Sequence, residues 1–246
     1  MLRSDGSVSE RTRQALRRVR ESGREVVIVS ARAPHWLRPV AADLGLDGYA
    51  LCCNGAVVYD LAREQLIRHH TLAPEVAARV VHALREAAPG VAFACERESI
   101  AIREPEYVPL WAWPDLHPRT DALEFVREPV SKLVVQHPEL SQAELYELAV
   151  RLCGGDASVT YSGERLVEIS GAGVTKAFAL AGLCADLGVE QADVLAFGDM
   201  PNDVPMLAWA GRSVAVANAH PEALAAADEI TASNDEDGVA LVLERL

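Results

Sequence analysis

Ala196-Phe197-Gly198-Asp199-Met200-Pro201-Asn202-Asp203 decides how this chain is read. The apolar run over 193–197 has the length and composition of a buried parallel strand. It ends in Gly-Asp and a loop with a second acid, which puts two carboxylates at a strand's carboxyl end, where open α/β sheets bind ligands. No Lys or Arg lies within 199–203, so Asp199 and Asp203 need a cation or a proton to relieve their repulsion. Oxygen donors alone suit Mg2+ better than zinc or copper. The competing reading is a solvated helix cap made by Asn202 or Asp203. The loop by itself is balanced between the two.

A chain of 246 residues can hold one full domain and a smaller one. No apolar run approaches the roughly 20 residues of a membrane span, and residues 1–5 lack the apolar stretch of a signal peptide. The five cysteines, at 52, 53, 95, 153 and 184, are odd in number and have no metal-ligand spacing. Read as buried free thiols, they point to a reducing cytoplasm. Asp+Glu 36 against Lys+Arg 23 gives a net charge of −13, which argues against nucleic acid or an anionic membrane as partner. A phosphorylated small molecule stays open, because a metal and local cations can bind it against the global charge. The expected assembly is a monomer or weak homodimer.

Working outward from the acidic loop, the flanking segments alternate helix and strand. Ser7 or Ser9 caps a helix to about residue 22, with Ala15, Leu16 and Val19 on one face. A buried strand over 25–30 ends in Ser30-Ala31-Arg32, and a helix over 34–44 stops at Gly45. Strands over 49–53 and 56–59 are joined by Asn54-Gly55, a strong hairpin signal. From about 72 the style changes to helix 74–88, strand 91–95, short alternating strands within 96–129, strand 132–136, a capping-box helix from Ser141 to about 152, and a hairpin over 157–169. After Gly171-Ala172-Gly173 the βα rhythm returns with helix 175–187, strand 193–197, strand 213–217, a short helix from His220-Pro221, and a last helix from Asp237-Gly238. The expected fold is therefore α/β, with core segments 1–71 and 169–246 around an α+β insert over 72–168.

Ser30, Lys176 and the Asp199/Asn202/Asp203 cluster all stand at strand ends or helix starts of the core. A hydroxyl, an ammonium and an acidic metal site converging on one sheet edge are what phosphoryl transfer requires. Taken singly, Ser30 reads as a helix cap and Arg32 as a solvated charge. Lys176 at a helix start opposes the macrodipole, which makes a purely structural role less natural.

Together these residues resemble the haloacid dehalogenase-like hydrolases, in the Cof-type (IIB) branch. Val27-Ile28-Val29-Ser30-Ala31-Arg32 is similar to that family's second motif, Gly173-Val174-Thr175-Lys176 to its third, and Gly198-Asp199-Met200-Pro201-Asn202-Asp203 to its fourth. Asn54-Gly55-Ala56, Asn218-Ala219-His220-Pro221 and the stretch 231–238 are similar to further features of the branch. The resemblance implies a Rossmann-like parallel core with an inserted C2-type cap, and Mg2+-dependent hydrolysis of a small phosphate ester. It places Ser30, Ala31, Arg32, Asn54, Lys176 and Asn202 on the substrate, Asp199 and Asp203 at the metal, and Lys176 and Asp203 in catalysis. Asp203 would orient a metal-bound water or Lys176, and Asn202 would support the loop.

The family also begins with a strand ending in Asp-x-Asp-Gly-Thr, whose first Asp is the nucleophile and whose second is the general acid/base. Here the resemblance places that motif upstream of Met1. Ser4-Asp5-Gly6-Ser7 has no strand before it and does not substitute. The expectation is a phosphatase that is inactive as read from Met1, with its central core strand missing. The core would then carry a gap of about 10 Å between the strands at 26–29 and 194–197, two strand spacings wide. The competing class is a non-catalytic relative that binds a phosphorylated metabolite or a partner; a phosphosugar mutase is a third reading. Trp111, Trp113, His117 and Arg119 are candidates for the underside of the cap.

Overall fold

Ser9 accepts a hydrogen bond from the Thr12 amide and so starts α1 (Glu10–Glu21), which buries Thr12, Ala15, Leu16 and Val19. The computed structural model describes residues 1–110 and 119–246. β1 (Ile28–Val29) and α2 (Pro34–Asp43) follow, and then β2 (Tyr49–Cys52), parallel to β1. β3 (Val57–Asp60) and β4 (Gln65–His69) turn back antiparallel and complete the order β1-β2-β3-β4. The strand expected over 25–30 shrinks to two residues. Among the described residues β1 pairs on one side alone, so ladder geometry is held only where Ile28 and Val29 face Ala50 and Leu51.

The Asn54-Gly55 reversal is present as a single 3-10 turn in which Cys53 and Asn54 hold φ of 51° and 59°. Gly55, at φ 95°, is required by contact as well as by conformation. A Cβ there would lie 2.3 Å from the Thr175 carbonyl oxygen.

The inserted unit is built on α3 (Pro74–Ala87), β5 (Ala92–Arg97), β6 (Ile100–Arg103), α4 (Ala122–Phe125), β7 (Lys132–Gln136), α5 (Gln142–Cys153), β8 (Ala157–Thr160) and β9 (Val167–Gly171). Its sheet is antiparallel in the order β6-β5-β7-β9-β8. The strands alternate by face. Phe93, Cys95, Leu133, Val135, Val167 and Ile169 form one core with Val80, Leu84, Leu145 and Ala149 of α3 and α5. Glu96, Lys132 and Glu168 lie on the opposite face. Short alternating strands were expected across 96–129; among the described residues β6 and the four-residue α4 stand there. The linkers that leave and re-enter the core touch, since a Cβ on Gly171 would be 2.8 Å from the Thr71 carbonyl oxygen.

The second core segment carries α6 (Lys176–Leu187), β10 (Leu195–Gly198), α7 (Val204–Trp209), β11 (Arg212–Val216), α8 (Pro221–Ala226), β12 (Glu229–Thr231) and α9 (Gly238–Leu243). β10, β11 and β12 are parallel. Among the described residues β1 and β10 share no ladder, so the core strands form two sheets. Both sheets nevertheless close on one apolar cluster that includes Leu16, Leu51, Leu180, Ala196, Leu207 and Val239. The fold is α/β as expected. No helix among the described residues is long and apolar enough to cross a membrane.

Candidate active site

The loop after β10 is folded by Asp203. Its Oδ2 accepts the Asp199 and Met200 amides, each at 3.0 Å, and its own amide donates to the Met200 carbonyl at 2.8 Å. The side chain makes no capping bond to α7, so the simple helix-cap reading fails. Gly198 is necessary because Asp203 lies back over it, and a Cβ there would stand 2.6 Å from the Asp203 Cβ.

Lys176 is the first residue of α6, and its Nζ donates to Asp203 Oδ1 at 2.5 Å, with side-chain exposures of 7% and 5%. The cation stands at an unfavourable helix end because it neutralises this buried carboxylate. Asn202 Nδ2 donates to Asn54 Oδ1 at 2.9 Å, also in the interior. The Asn54 amide donates to the Ser30 carbonyl at 3.1 Å, and the Ser30 amide donates to the Leu51 carbonyl at 2.8 Å. Ser30 Oγ accepts the Arg32 amide at 3.1 Å. One run of contacts therefore links Ser30, Asn54, Asn202, Asp203 and Lys176, which come from four separate parts of the sequence. Arg32 itself is exposed.

Asp199 is exposed in this loop. Partial burial, then the Asp203 charge, raises its pKa against the pull of Lys176 and the Met1 ammonium. The amino end of the chain reaches the same place: burial lowers the Met1 ammonium pKa, and Asp199 and Asp203 oppose that shift. The His220 amide donates to the Asp199 carbonyl at 2.8 Å and ties the following loop to the site. Among the described residues no group of three or more His, Cys, Asp and Glu side chains converges as a metal cage. Magnesium needs no such cage. It takes one or two carboxylates and fills its shell with water and substrate oxygens. Asp199 is exposed and can serve as such a donor, whereas Asp203 has both oxygens engaged, Oδ1 by Lys176 and Oδ2 by two loop amides. Asp5, in the turn set aside as a nucleophile site, is exposed and accepts the Ser7 amide at 2.9 Å.

The inserted unit adds charged groups that the motif reading missed. Lys132 Nζ donates to the Ala31 carbonyl at 2.7 Å and pairs with Glu168, both being buried. Burial lowers the Lys132 pKa, but Glu168, Cys53 and Glu96 more than reverse this. Burial raises the Glu168 pKa, and Lys132 overcomes it, with help from Ser162 and Asn54. Glu96, opposite Lys132 in the ladder, is pushed up to about 7 by burial. The available signal was charge set beside apolar runs in each of three strands: Glu96 and Arg97 in 92–97, Lys132 in 132–136 and Glu168 in 167–171. Of the residues expected on the underside of the cap, Arg119 is exposed and forms a backbone bridge with Arg103. Trp111, Trp113 and His117 lie outside the described residues.

A family model described as haloacid dehalogenase-like hydrolase matches residues 1–243. The HMP-PP phosphatase of Cronobacter sakazakii is 28% identical over 232 residues, covering 92% of this chain and 83% of the relative. The 5-amino-6-(5-phospho-D-ribitylamino)uracil phosphatase YcsE of Bacillus subtilis is 27% identical over 244 residues, covering 98% and 89%. A solved HAD subclass IIB sugar phosphatase, BT4131, shares the fold with a TM-score of 0.82 at 19% identity, covering 98% of this chain and 92% of its own.

Proposed function

The chain belongs to the haloacid dehalogenase-like hydrolases, and we propose that its site removes the phosphoryl group from a small phosphorylated metabolite. By resemblance it is a phosphoric monoester hydrolase. The observation that carries the reading is the run of contacts from Ser30 through Asn54, Asn202 and Asp203 to Lys176. In this reading Ser30, Ala31 and Arg32 receive the phosphoryl oxygens, and Lys176, held by Asp203, offsets their charge. Asn54 and Asn202 set the distance between these two halves; Asn202 Oδ1 is buried and has no hydrogen-bond partner among the described residues. Asp199, supported by Asp203, would hold Mg2+, which when bound supplies charge neutralisation of the phosphate. The five buried free thiols support a reducing, cytoplasmic setting. The substrate class follows the relatives, whose names cover HMP-PP, a 5-phospho-D-ribitylamino uracil and a sugar phosphate.

One observation favours a second reading, a phosphometabolite-binding protein without turnover. Asp203 engages both its oxygens with Lys176 and two loop amides, which leaves Asp199 as the one open carboxylate of the loop. Hydrolysis through an aspartyl-phosphate needs a further carboxylate as nucleophile.

The test is release of inorganic phosphate from a panel of sugar, nucleotide and cofactor phosphate esters, with Mg2+ and with a chelator. The phosphatase reading expects chelator-sensitive release that Lys176→Met lowers by about 100-fold or more. Phosphate binding without release from any ester supports the second reading, and absence of both sinks the site assignment.

A further inference from the structure

The three carbonyls of Ser30, Ala31 and Arg32 are each held by a hydrogen bond, but not from the same side. Core amides hold the outer two: Asn54 N–H donates to the Ser30 carbonyl at 3.1 Å, and Cys53 N–H to the Arg32 carbonyl at 3.0 Å. The middle carbonyl, on Ala31, accepts instead from Lys132 Nζ of the inserted unit at 2.7 Å, a contact between residues 101 apart in sequence. We infer that Lys132 is a positioning residue by which the inserted unit sets the Ala31–Arg32 peptide for phosphate binding. The inference rests on the reading of Ser30–Ala31–Arg32 as the phosphate loop.

The argument is geometric. A peptide unit is planar and trans, so its carbonyl and the following N–H point in opposite directions. Fixing the Ala31 oxygen toward Lys132 therefore turns the Arg32 amide away from it, and that amide meets Ser30 Oγ at 3.1 Å. The Ser30 hydroxyl is thereby occupied as an acceptor and keeps its own hydrogen to donate to a phosphoryl oxygen. Without the ammonium, the middle peptide of the loop has no core partner on its carbonyl and can rotate between its two anchored neighbours.

The ammonium is well suited to this task. It is buried, Glu168 on the next strand pairs with it, and Glu96 faces it across the ladder on the other side. A charged donor makes a stronger bond to a carbonyl than a neutral one would. Glu168 sits on β9, the strand that leads directly back to Lys176, so the partner of the clamp and the phosphate-facing lysine share one returning segment.

The alternative is that Lys132 only offsets the Glu168 charge, since removing one member of a buried pair leaves the other uncompensated. The double variant Lys132→Met/Glu168→Gln separates the two, because it removes both charges together while the Gln amide oxygen can still accept from Asn54. Amide hydrogen exchange of the full chain reads the clamp directly, and titration with inorganic phosphate in Mg2+ reads its consequence. A positioning role predicts native-like thermal stability in the double variant, with the Arg32 amide exchanging about tenfold faster, the Leu51 and Val134 amides unchanged, and phosphate bound about tenfold more weakly. Arg32 exchange and phosphate affinity within twofold of wild type overturn the inference. A wild-type protein that binds no phosphate overturns the proposed function, and the Arg32 exchange rate then decides the clamp by itself.

Discussion

Replacing Lys176 by Met tests the centre of the site, because Met keeps much of the lysine stem and removes only the ammonium. The change leaves Asp203 buried at 5% side-chain exposure without its ion-pair partner. Removing one member of a buried pair costs about 3–5 kcal/mol. Asp203 keeps two amide donors on Oδ2, which places the expected loss at the lower end, about 3 kcal/mol. A total stability of about 5–15 kcal/mol makes that a large fraction. For a chain of this size it corresponds to a fall in Tm of about 6–12 °C. Asp203→Asn retains an acceptor for the loop amides while removing the charge, so the pair of single variants and the double variant form a cycle with an expected coupling of about 2–3 kcal/mol. Urea unfolding followed by circular dichroism supplies each corner. A loss below about 1 kcal/mol for Lys176→Met would match a surface pair, and the buried-pair reasoning would then be wrong.

Two further outcomes follow from the same contacts. Glu96 has its carboxyl pushed to about 7 by burial, against an ordinary value of 4.5, so the folded state holds a proton that the unfolded chain has released. Stability should therefore fall as pH rises from 4.5 through 7, by up to about 3 kcal/mol. Glu96→Gln cannot ionise, and it should match wild type near pH 4.5 and exceed it by about 2–3 kcal/mol at pH 8; parallel stability curves for the two proteins would refute burial as the cause. Gly198→Ala places a Cβ 2.6 Å from the Asp203 Cβ. It should cost about 1–3 kcal/mol and weaken phosphate binding, because the loop must move to accept it. A variant with the wild-type denaturation midpoint and phosphate affinity would show that Asp203 does not pack over Gly198.

What was legible in the sequence is what short-range physics controls. Ser9 caps α1, Ser141 and Glu144 form the capping box of α5, and Gly188 ends α6 in the left-handed region, each through partners within a few residues. The acidic loop was also legible, because two carboxylates and no cation within 199–203 create an electrostatic demand that any fold must answer. How it was answered was not. Lys176 reaches Asp203 from 27 residues away, and Asn54 reaches Asn202 from 148. Neither pairing follows from periodicity.

Tertiary structure alone decided the rest. The length of β1 depended on which neighbours it found, and a strand paired on one side kept two residues of the six its apolar pattern suggested over 25–30. Glu96, Lys132 and Glu168 stand on the sheet face opposite the inserted unit's apolar core, yet they are buried, and Lys132 there reaches the Ala31 carbonyl. The acidic stretch 196–203, with which the reading began, could establish that a cation was needed there. Only the packed molecule could supply one, because charges are matched through space rather than along the chain.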